Sequence, residues 1–277
     1  MKKIIFSAIA FAAVGLASCG GNKTEQSSEL EDSVVEFVQS ELKKEMIQEL
    51  DSLTDEMSKC GAPAFLKKNA SGIQLTDEEK KAKPEYLLNP ANAASATLLS
   101  EKYRALTAMR IDREVAVLYG MPVADFDEQI TKLLADINDP ALEENYKNGP
   151  DSTSLAVFYT AEKENGRLNL FWQCMASSNI ESLYILSKNV DKFTATMDDN
   201  AATKLTNRLA HIAVSANALV DFDSEFKVVA ESINLLKDVN AKTVKELREQ
   251  LKEQKENIEK SRNILVKYFF NKPDLKS

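Results

Sequence analysis

The sequence predicts an all-α protein, an irregular multi-helix bundle of about seven to nine helices. Glycine and proline, which supply tight turns, are rare, with 8 glycines and 7 prolines in 277 residues. The chain uses alanine, leucine, glutamate and lysine instead, which are strong helix formers. Apolar residues recur at three- and four-residue steps, as they do in amphipathic helices. The sequence has no fixed repeat period of the kind that indicates a solenoid.

The first helices are predicted from apolar spacing and from end signals. Valines, leucines and methionines across 34–57 fall on one helical face, and the helix is expected to end near Gly61. Thr76 and Glu79 have the spacing of a capping box, which predicts the start of a short helix. An Asn-Pro pair then suits the N-cap and first position of a helix over 90–119.

The middle of the chain contains one clear helix and one ambiguous segment. Asp125 is expected to cap a helix whose apolar residues share one face as far as Ile137. Within 155–172, the pair Asn165-Gly166 could form a type I′ hairpin turn, or it could end one helix before another begins. We favour two helices because the neighbouring segments are helical.

The C-terminal half is predicted to supply the centre of the bundle. Apolar residues across 172–197 step by three or four, which forms a seam that packs against other helices. Three further helices are expected at 200–220, 223–238 and 241–269. Residues 271–277 are expected to fray as a tail.

The N-terminus has the features of an export signal. Two lysines precede an apolar run over 4–17, which is shorter than the about 20 residues that span a bilayer. The run leads into Leu16-Ala17-Ser18-Cys19, which resembles the lipobox of bacterial lipoproteins. The resemblance implies cleavage before Cys19 and acylation of its sulfur and of the new amino terminus. Two or more acyl chains hold a protein stably at a membrane.

This resemblance also implies an organisation and a location. Residues 1–18 are expected to be a signal peptide that is removed, and 19–29 a lipid-anchored flexible tether. Residues 30–270 are expected to form a single all-helical domain. Gly20, rather than aspartate, follows the cysteine, and no acidic pair comes directly after it. In this family such a sequence implies the outer membrane, with the periplasmic face favoured over the cell surface.

Composition and motifs exclude several classes of function. A net charge of −8 argues against nucleic-acid partners, which require basic surfaces. The single histidine, His211, makes a histidine-based zinc site untenable, and we expect it to pack between helices. No glycine-rich phosphate loop or nucleophile elbow is present. We therefore expect no metal, no cofactor and no catalytic residues. Cys60 and Cys174 could form a disulfide in an oxidising compartment.

Three polar residues on apolar helices are the candidate ligand-binding residues. Arg113 falls on the broad apolar face of its predicted helix, and Arg110 falls at the edge of that face. Asn179 interrupts the apolar seam of 172–197. A buried charge requires a partner, so the arginines either form ion pairs inside the bundle or line a pocket for an acidic ligand.

The sequence thus predicts a lipid-anchored envelope protein that is not an enzyme and that acts through contacts with an envelope protein partner. The alternative is a protein that binds an acidic or apolar small molecule between helices, near Arg110, Arg113 and Asn179. A third possibility is a carboxylate-based hydrolase, which would require two converging acids with separated pKa values.

Overall fold

The computed structural model describes residues 42–57, 75–148, 152–192 and 198–270, and these residues form helices and no strand. This confirms the all-α class. After a helix at 42–57 (α1) come ten more α-helices, so the described residues hold more helices than the about seven to nine expected. The ten are α2 (Asp77–Lys81), α3 (Leu99–Leu118), α4 (Ala124–Ile137), α5 (Pro140–Asn148), α6 (Ser152–Glu164), α7 (Leu168–Lys188), α8 (Asp199–Leu219), α9 (Phe226–Asn234), α10 (Val244–Glu253) and α11 (Lys255–Leu265). Short 3₁₀ helices lie at Pro90–Ser95, Val190–Lys192 and Lys267–Phe269.

The expected capping box at the start of α2 is present. The Thr76 hydroxyl accepts the Glu79 backbone N–H at 3.3 Å, and the Glu79 carboxylate accepts the Thr76 backbone N–H at 2.8 Å. These reciprocal bonds satisfy two amides that the first helical turn leaves without partners.

The predicted single helix over 90–119 is wrong. The Asn-Pro start instead forms the 3₁₀ helix Pro90–Ser95, and α3 begins only at Leu99. The reason is the Glu101 carboxylate, which accepts the backbone N–H groups of Thr97 at 2.9 Å and Leu98 at 3.1 Å. These bonds cap a new helix, because an acidic side chain in the first turn satisfies amides that have no partner inside the helix.

The segment 155–172 is helical, as favoured from the sequence. Helix α6 ends at Glu164, Gly166 has a φ of +70°, and α7 begins at Leu168. A left-handed residue just after a helix is the common glycine terminator, so the Asn-Gly pair here separates two helices and makes no hairpin.

The last predicted helix, over 241–269, is interrupted. Gln254, with φ −92° and ψ 10°, ends α10 and precedes α11. Leu251, Ile258 and Leu265, which recur at intervals of seven residues, are buried all the same. Both segments therefore keep an apolar face on the bundle.

Helix α7 lies at the centre of the bundle. Every residue from Leu170 to Ser187 except Met175 is buried, and α7 packs against α3, α6 and the helices from α8 to α11. A helix buried on all sides belongs to the interior of a bundle. The described residues from Glu45 onwards belong to one compact unit.

Several predicted features lie outside the described residues. They include the lipobox, the tether, Cys60, the end of the 172–197 seam and the tail at 271–277. Cys174 is a free thiol buried in the bundle, and burial raises its pKa to about 12. In the described part of the chain, no helix has the length and apolar character needed to cross a membrane.

Candidate functional site

Arg113, one of the residues selected from the sequence, forms a surface ion pair. Its guanidinium binds the carboxylates of Asp127 on α4 and Glu114 on α3, and its side chain is 26% exposed. These carboxylates raise the pKa of Arg113 further. Arg113 therefore joins two helices at the edge of the bundle, in line with the ion-pair interpretation of the sequence.

Arg110 and Asn179 lie in different surroundings. The Arg110 guanidinium stacks on the Tyr146 ring at 4.8 Å and donates to the Tyr146 carbonyl at 3.4 Å, and burial lowers its pKa. Asn179 is completely buried, and neither atom of its amide has a hydrogen-bond partner among the described residues. No hydrogen bond or ion pair links Arg110, Arg113 and Asn179.

A groove lies between the start of α3, helix α9 and helix α11. Its volume is about 960 Å³, and none of the three residues chosen from the sequence lines it. The residues that do line it include Ser100, Glu101 and Arg104 from α3, Lys227, Val228 and Glu231 from α9, and Glu256, Glu259, Lys260, Asn263 and Ile264 from α11.

Arg104 lies in the wall of this groove and is only 4% exposed. Its Nη1 donates to Gln173 Oε1 at 2.6 Å, and its Nε donates to the Leu265 carbonyl at 3.2 Å. Among the described residues, no carboxylate lies within ion-pair distance of its guanidinium. A buried guanidinium whose partners are all neutral carries an uncompensated charge, which is costly without a counter-ion.

Further hydrogen-bond donors near Arg104 also lack partners. Ser100 Oγ, Gln173 Nε2 and the Tyr268 hydroxyl are buried and make no hydrogen bond of normal geometry to a described residue. Ser100 precedes Arg104 by one helical turn, and the Tyr268 ring lies 5.8 Å from the guanidinium carbon. Burial raises the pKa of Tyr268, so its hydroxyl keeps its proton. This composition, a cation with N–H and O–H groups, suits an oxyanion.

A second buried arginine, Arg262 on α11, has the opposite environment. Its Nε and Nη2 bind both carboxylate oxygens of Glu181 at 2.9 to 3.2 Å, and its Nη2 lies 3.7 Å from Asp112. The Tyr184 ring covers its guanidinium at 4.2 Å. Burial and the charge of Glu181 hold the pKa of Asp112 well above its usual value. The charge of Arg262 is therefore compensated by carboxylates of the chain itself.

Two converging acids of the kind that the hydrolase alternative requires are also present. Asp139 accepts hydrogen bonds from the Tyr103 hydroxyl and from the first amides of α5, and Arg167 pairs with both Asp139 and Glu162. Burial and the neighbouring Asp139 raise the pKa of Glu162 to about 8. The pKa of Asp139 stays below its usual value, because hydrogen bonds from Glu162 and Tyr103 and the charge of Arg167 outweigh its burial.

These acids do not line the groove, and neither carboxyl side chain has exposed surface. In the described residues, no group of histidine, cysteine or acidic side chains could hold a metal ion.

Sequence reasoning missed Arg104, although it lies on the same helix as Arg110. One signal was present. At 100° per residue, Arg104 lies within about 20° of Ile111 and of Val115 on the second apolar face of α3. A charged residue on that apolar face marks a candidate binding residue as clearly as Arg113 does on the other face. Arg113 has Glu114 beside it on α3. Whether an arginine also meets a carboxylate from another helix depends on how the helices pack, which the sequence of α3 alone does not show.

The chain matches no family model, no curated protein and no solved structure. Its function must therefore be inferred from its own residues.

Proposed function

We propose that this protein is a non-enzymatic binding protein, anchored by Cys19 to the periplasmic face of a bacterial outer membrane, that holds an anionic ligand in the α3/α9/α11 groove. One observation carries the proposal. Arg104 is buried in the wall of the groove and has only neutral partners among the described residues. A ligand oxyanion would supply the missing counter-charge and would accept hydrogen bonds from the neighbouring donors.

The comparison with Arg110 and Arg113 supports this choice of site. Arg113 already has two carboxylates, and Arg110 is stacked on Tyr146. An acidic ligand would have to displace these existing contacts, whereas at Arg104 it displaces no carboxylate. The contacts around each arginine thus favour binding by Arg104 over the site expected from the sequence.

Calorimetric titration of the acylated protein in lipid nanodiscs tests the proposal, with empty nanodiscs as the reference and acetate, phosphate and sulfate as probes. We expect at least one probe to bind the wild type and to bind Arg104→Gln at least tenfold more weakly. Arg113→Gln is the matched control on the same helix and should bind as the wild type does. Equal binding by wild type and Arg104→Gln, or the absence of binding by all three probes, would contradict the proposal.

A protein partner is the second candidate, and exposed apolar side chains favour it. Leu98 and Leu99, at the start of α3, are 50% and 43% exposed, and Leu98 lines the groove. Apolar surface beside a charged pocket is common in protein interfaces. Chemical cross-linking in intact cells, with a photoreactive residue in place of Leu99, would yield one specific adduct if this candidate is right.

Membrane attachment has its own test. We expect Cys19→Ser to release the protein from the membrane fraction, because acylation requires the cysteine sulfur. Fractionation with a blot against the protein measures this release. Retention of Cys19→Ser in the membrane would contradict lipid anchoring.

A further inference from the structure

Strongly exposed apolar side chains are concentrated near the groove. The described residues contain seven large apolar side chains with high exposure, and four of them line the groove or lie within three positions of a lining residue. These four are Leu98, Leu99, Phe222 and Phe270. Three residues span at most about 10 Å, so the backbone of each lies within about that distance of a residue that lines the groove.

The groove wall also has apolar surface that is only partly covered. Val228 on α9 and Ile264 on α11 are half-buried, and they line the groove together with Leu98. A small inorganic anion at Arg104 would leave this surface in water, because the groove encloses about 960 Å³. Covering apolar surface is favourable in proportion to its area. A ligand with an apolar part should therefore bind the groove more tightly than a small anion does.

Charged side chains of both signs line the wall away from Arg104. Three carboxylates and three ammonium groups there form no ion pair with a described residue: Glu225, Glu231, Glu256, Lys227, Lys260 and Lys267. Their opposite charges offset one another, so the wall offers a second acidic group no net attraction. Arg104 is the buried cation of this lining, so a ligand with one acidic group matches it.

We infer that the ligand is an amphiphilic monoanion, with a carboxylate or phosphate group at Arg104 and an apolar chain over Leu98, Val228 and Ile264. This inference rests on the proposed function, because it requires an anion at Arg104. The oxyanion receives hydrogen bonds from the guanidinium and from the Ser100 hydroxyl, which lines the groove and has no partner among the described residues. The chain covers apolar surface that the protein leaves open.

The test compares four probes that differ in one property each, titrated into the acylated protein in nanodiscs. Octanoate has both the acid and the chain, acetate has only the acid, octanol has only the chain, and octylamine has the chain with a cation. Complete burial of one methylene group is worth about fourfold in affinity, so two covered methylenes make octanoate at least tenfold tighter than acetate. Octylamine and octanol should bind no better than they bind to empty nanodiscs.

Two variants separate the acid from the chain. Arg104→Gln should weaken octanoate and acetate alike, whereas Val228→Ser should weaken octanoate at least threefold and leave acetate unchanged. Octyl phosphate in place of octanoate distinguishes a phosphate headgroup from a carboxylate, and tighter binding by either one than by its short analogue supports the inference. Equal affinity for octanoate and acetate would overturn the inference and leave the proposed function standing. If Arg104→Gln bound every probe as tightly as the wild type does, both the inference and the proposed function would be overturned.

Discussion

Arg262 and Arg104 are two arginines that are buried to a similar extent, at 3% and 4% exposure, in contrasting surroundings. Arg262 binds Glu181 with two nitrogens and has Asp112 as a second carboxylate. Arg104 binds one amide oxygen and one backbone carbonyl. The first arginine is neutralised inside the chain, and the second is open to a groove.

We propose that this difference separates a charge that stabilises the fold from a charge that binds a ligand. A buried ion pair with complete hydrogen bonding is difficult to disturb from outside, because removal of either partner leaves a charge in the interior. A buried cation with neutral partners already carries that cost, and an incoming anion relieves it. The contrast predicts that variants at Arg262 change stability and that variants at Arg104 change binding.

The largest expected effect is that of Arg262→Met. It leaves the Glu181 and Asp112 carboxyls buried without a cation, so we expect the free energy of unfolding to fall by about 3–5 kcal/mol. Chemical denaturation at neutral pH measures the fall. Addition of Glu181→Gln to this variant should recover part of the loss, because it removes the carboxylate that Arg262 paired with. A loss below about 1 kcal/mol, typical of an exposed ion pair, would mean that the cluster does not hold the bundle together.

The acid pair Asp139 and Glu162, which Arg167 contacts, predicts how the stability of the protein depends on pH. Glu162 has a raised pKa of about 8 in the folded protein against an ordinary value of 4.5. The folded state therefore binds more protons than the unfolded state between these values, and stability should decrease as pH rises through this window. The contribution of one such group is at most about 1.4 kcal/mol per pH unit.

Glu162→Gln removes this titration. We expect the variant to lose less stability than the wild type between pH 5 and pH 8, since glutamine stays neutral, as the protonated acid does. Urea denaturation at several pH values measures both slopes. Identical slopes for the two proteins would show that Glu162 is already ionised in the folded state.

Arg104→Met should have a smaller effect on stability. It removes two hydrogen bonds that a charged group donates, each worth about 1.5–3 kcal/mol, and it also removes an uncompensated buried charge, so these contributions oppose each other. We expect a net change of about 1 kcal/mol or less. The decisive measurement is the thermal midpoint with and without an oxyanion that binds, which should rise for the wild type only. A loss as large as that of Arg262→Met would place Arg104 among the structural charges.

The smallest expected effect is that of Arg113→Met. This arginine forms its ion pairs at a partly exposed position, where such pairs contribute about 0–1 kcal/mol. Denaturation of the variant in low and high salt would show a small loss that salt diminishes. A loss that is large and independent of salt would mean that Arg113 has a buried role.

Local signals in the sequence predicted the fold class and several helix ends. The capping box at Thr76 and the left-handed glycine at Gly166 act within a few residues, so the sequence contains all that they require. The break before Leu99 was missed, although Glu101 lies within reach of it. The N-cap signal at Asn89 is genuine, but it starts only the 3₁₀ helix Pro90–Ser95.

The site was harder to predict, because it depends on contacts between helices. A helical wheel shows that Arg104 and Arg113 both lie on apolar faces, and it gives no information about what each face meets. Glu181 on α7 and Asp112 on α3 meet Arg262 only after α11 has packed against α7. Arg104 stands out in the structure because no described carboxylate occupies the same place beside it.

The Glu101 cap at the start of α3 has a consequence for the groove. Glu101 precedes Arg104 by three residues, a spacing at which side chains on a helix can pair. Its carboxylate is instead held by the amides of Thr97 and Leu98. If these two bonds broke while the helix stayed intact, that carboxylate would be free to pair with the guanidinium and would compete with the proposed ligand. The cap therefore keeps the proposed binding site open, and its loss would lower ligand affinity without any change at Arg104 itself.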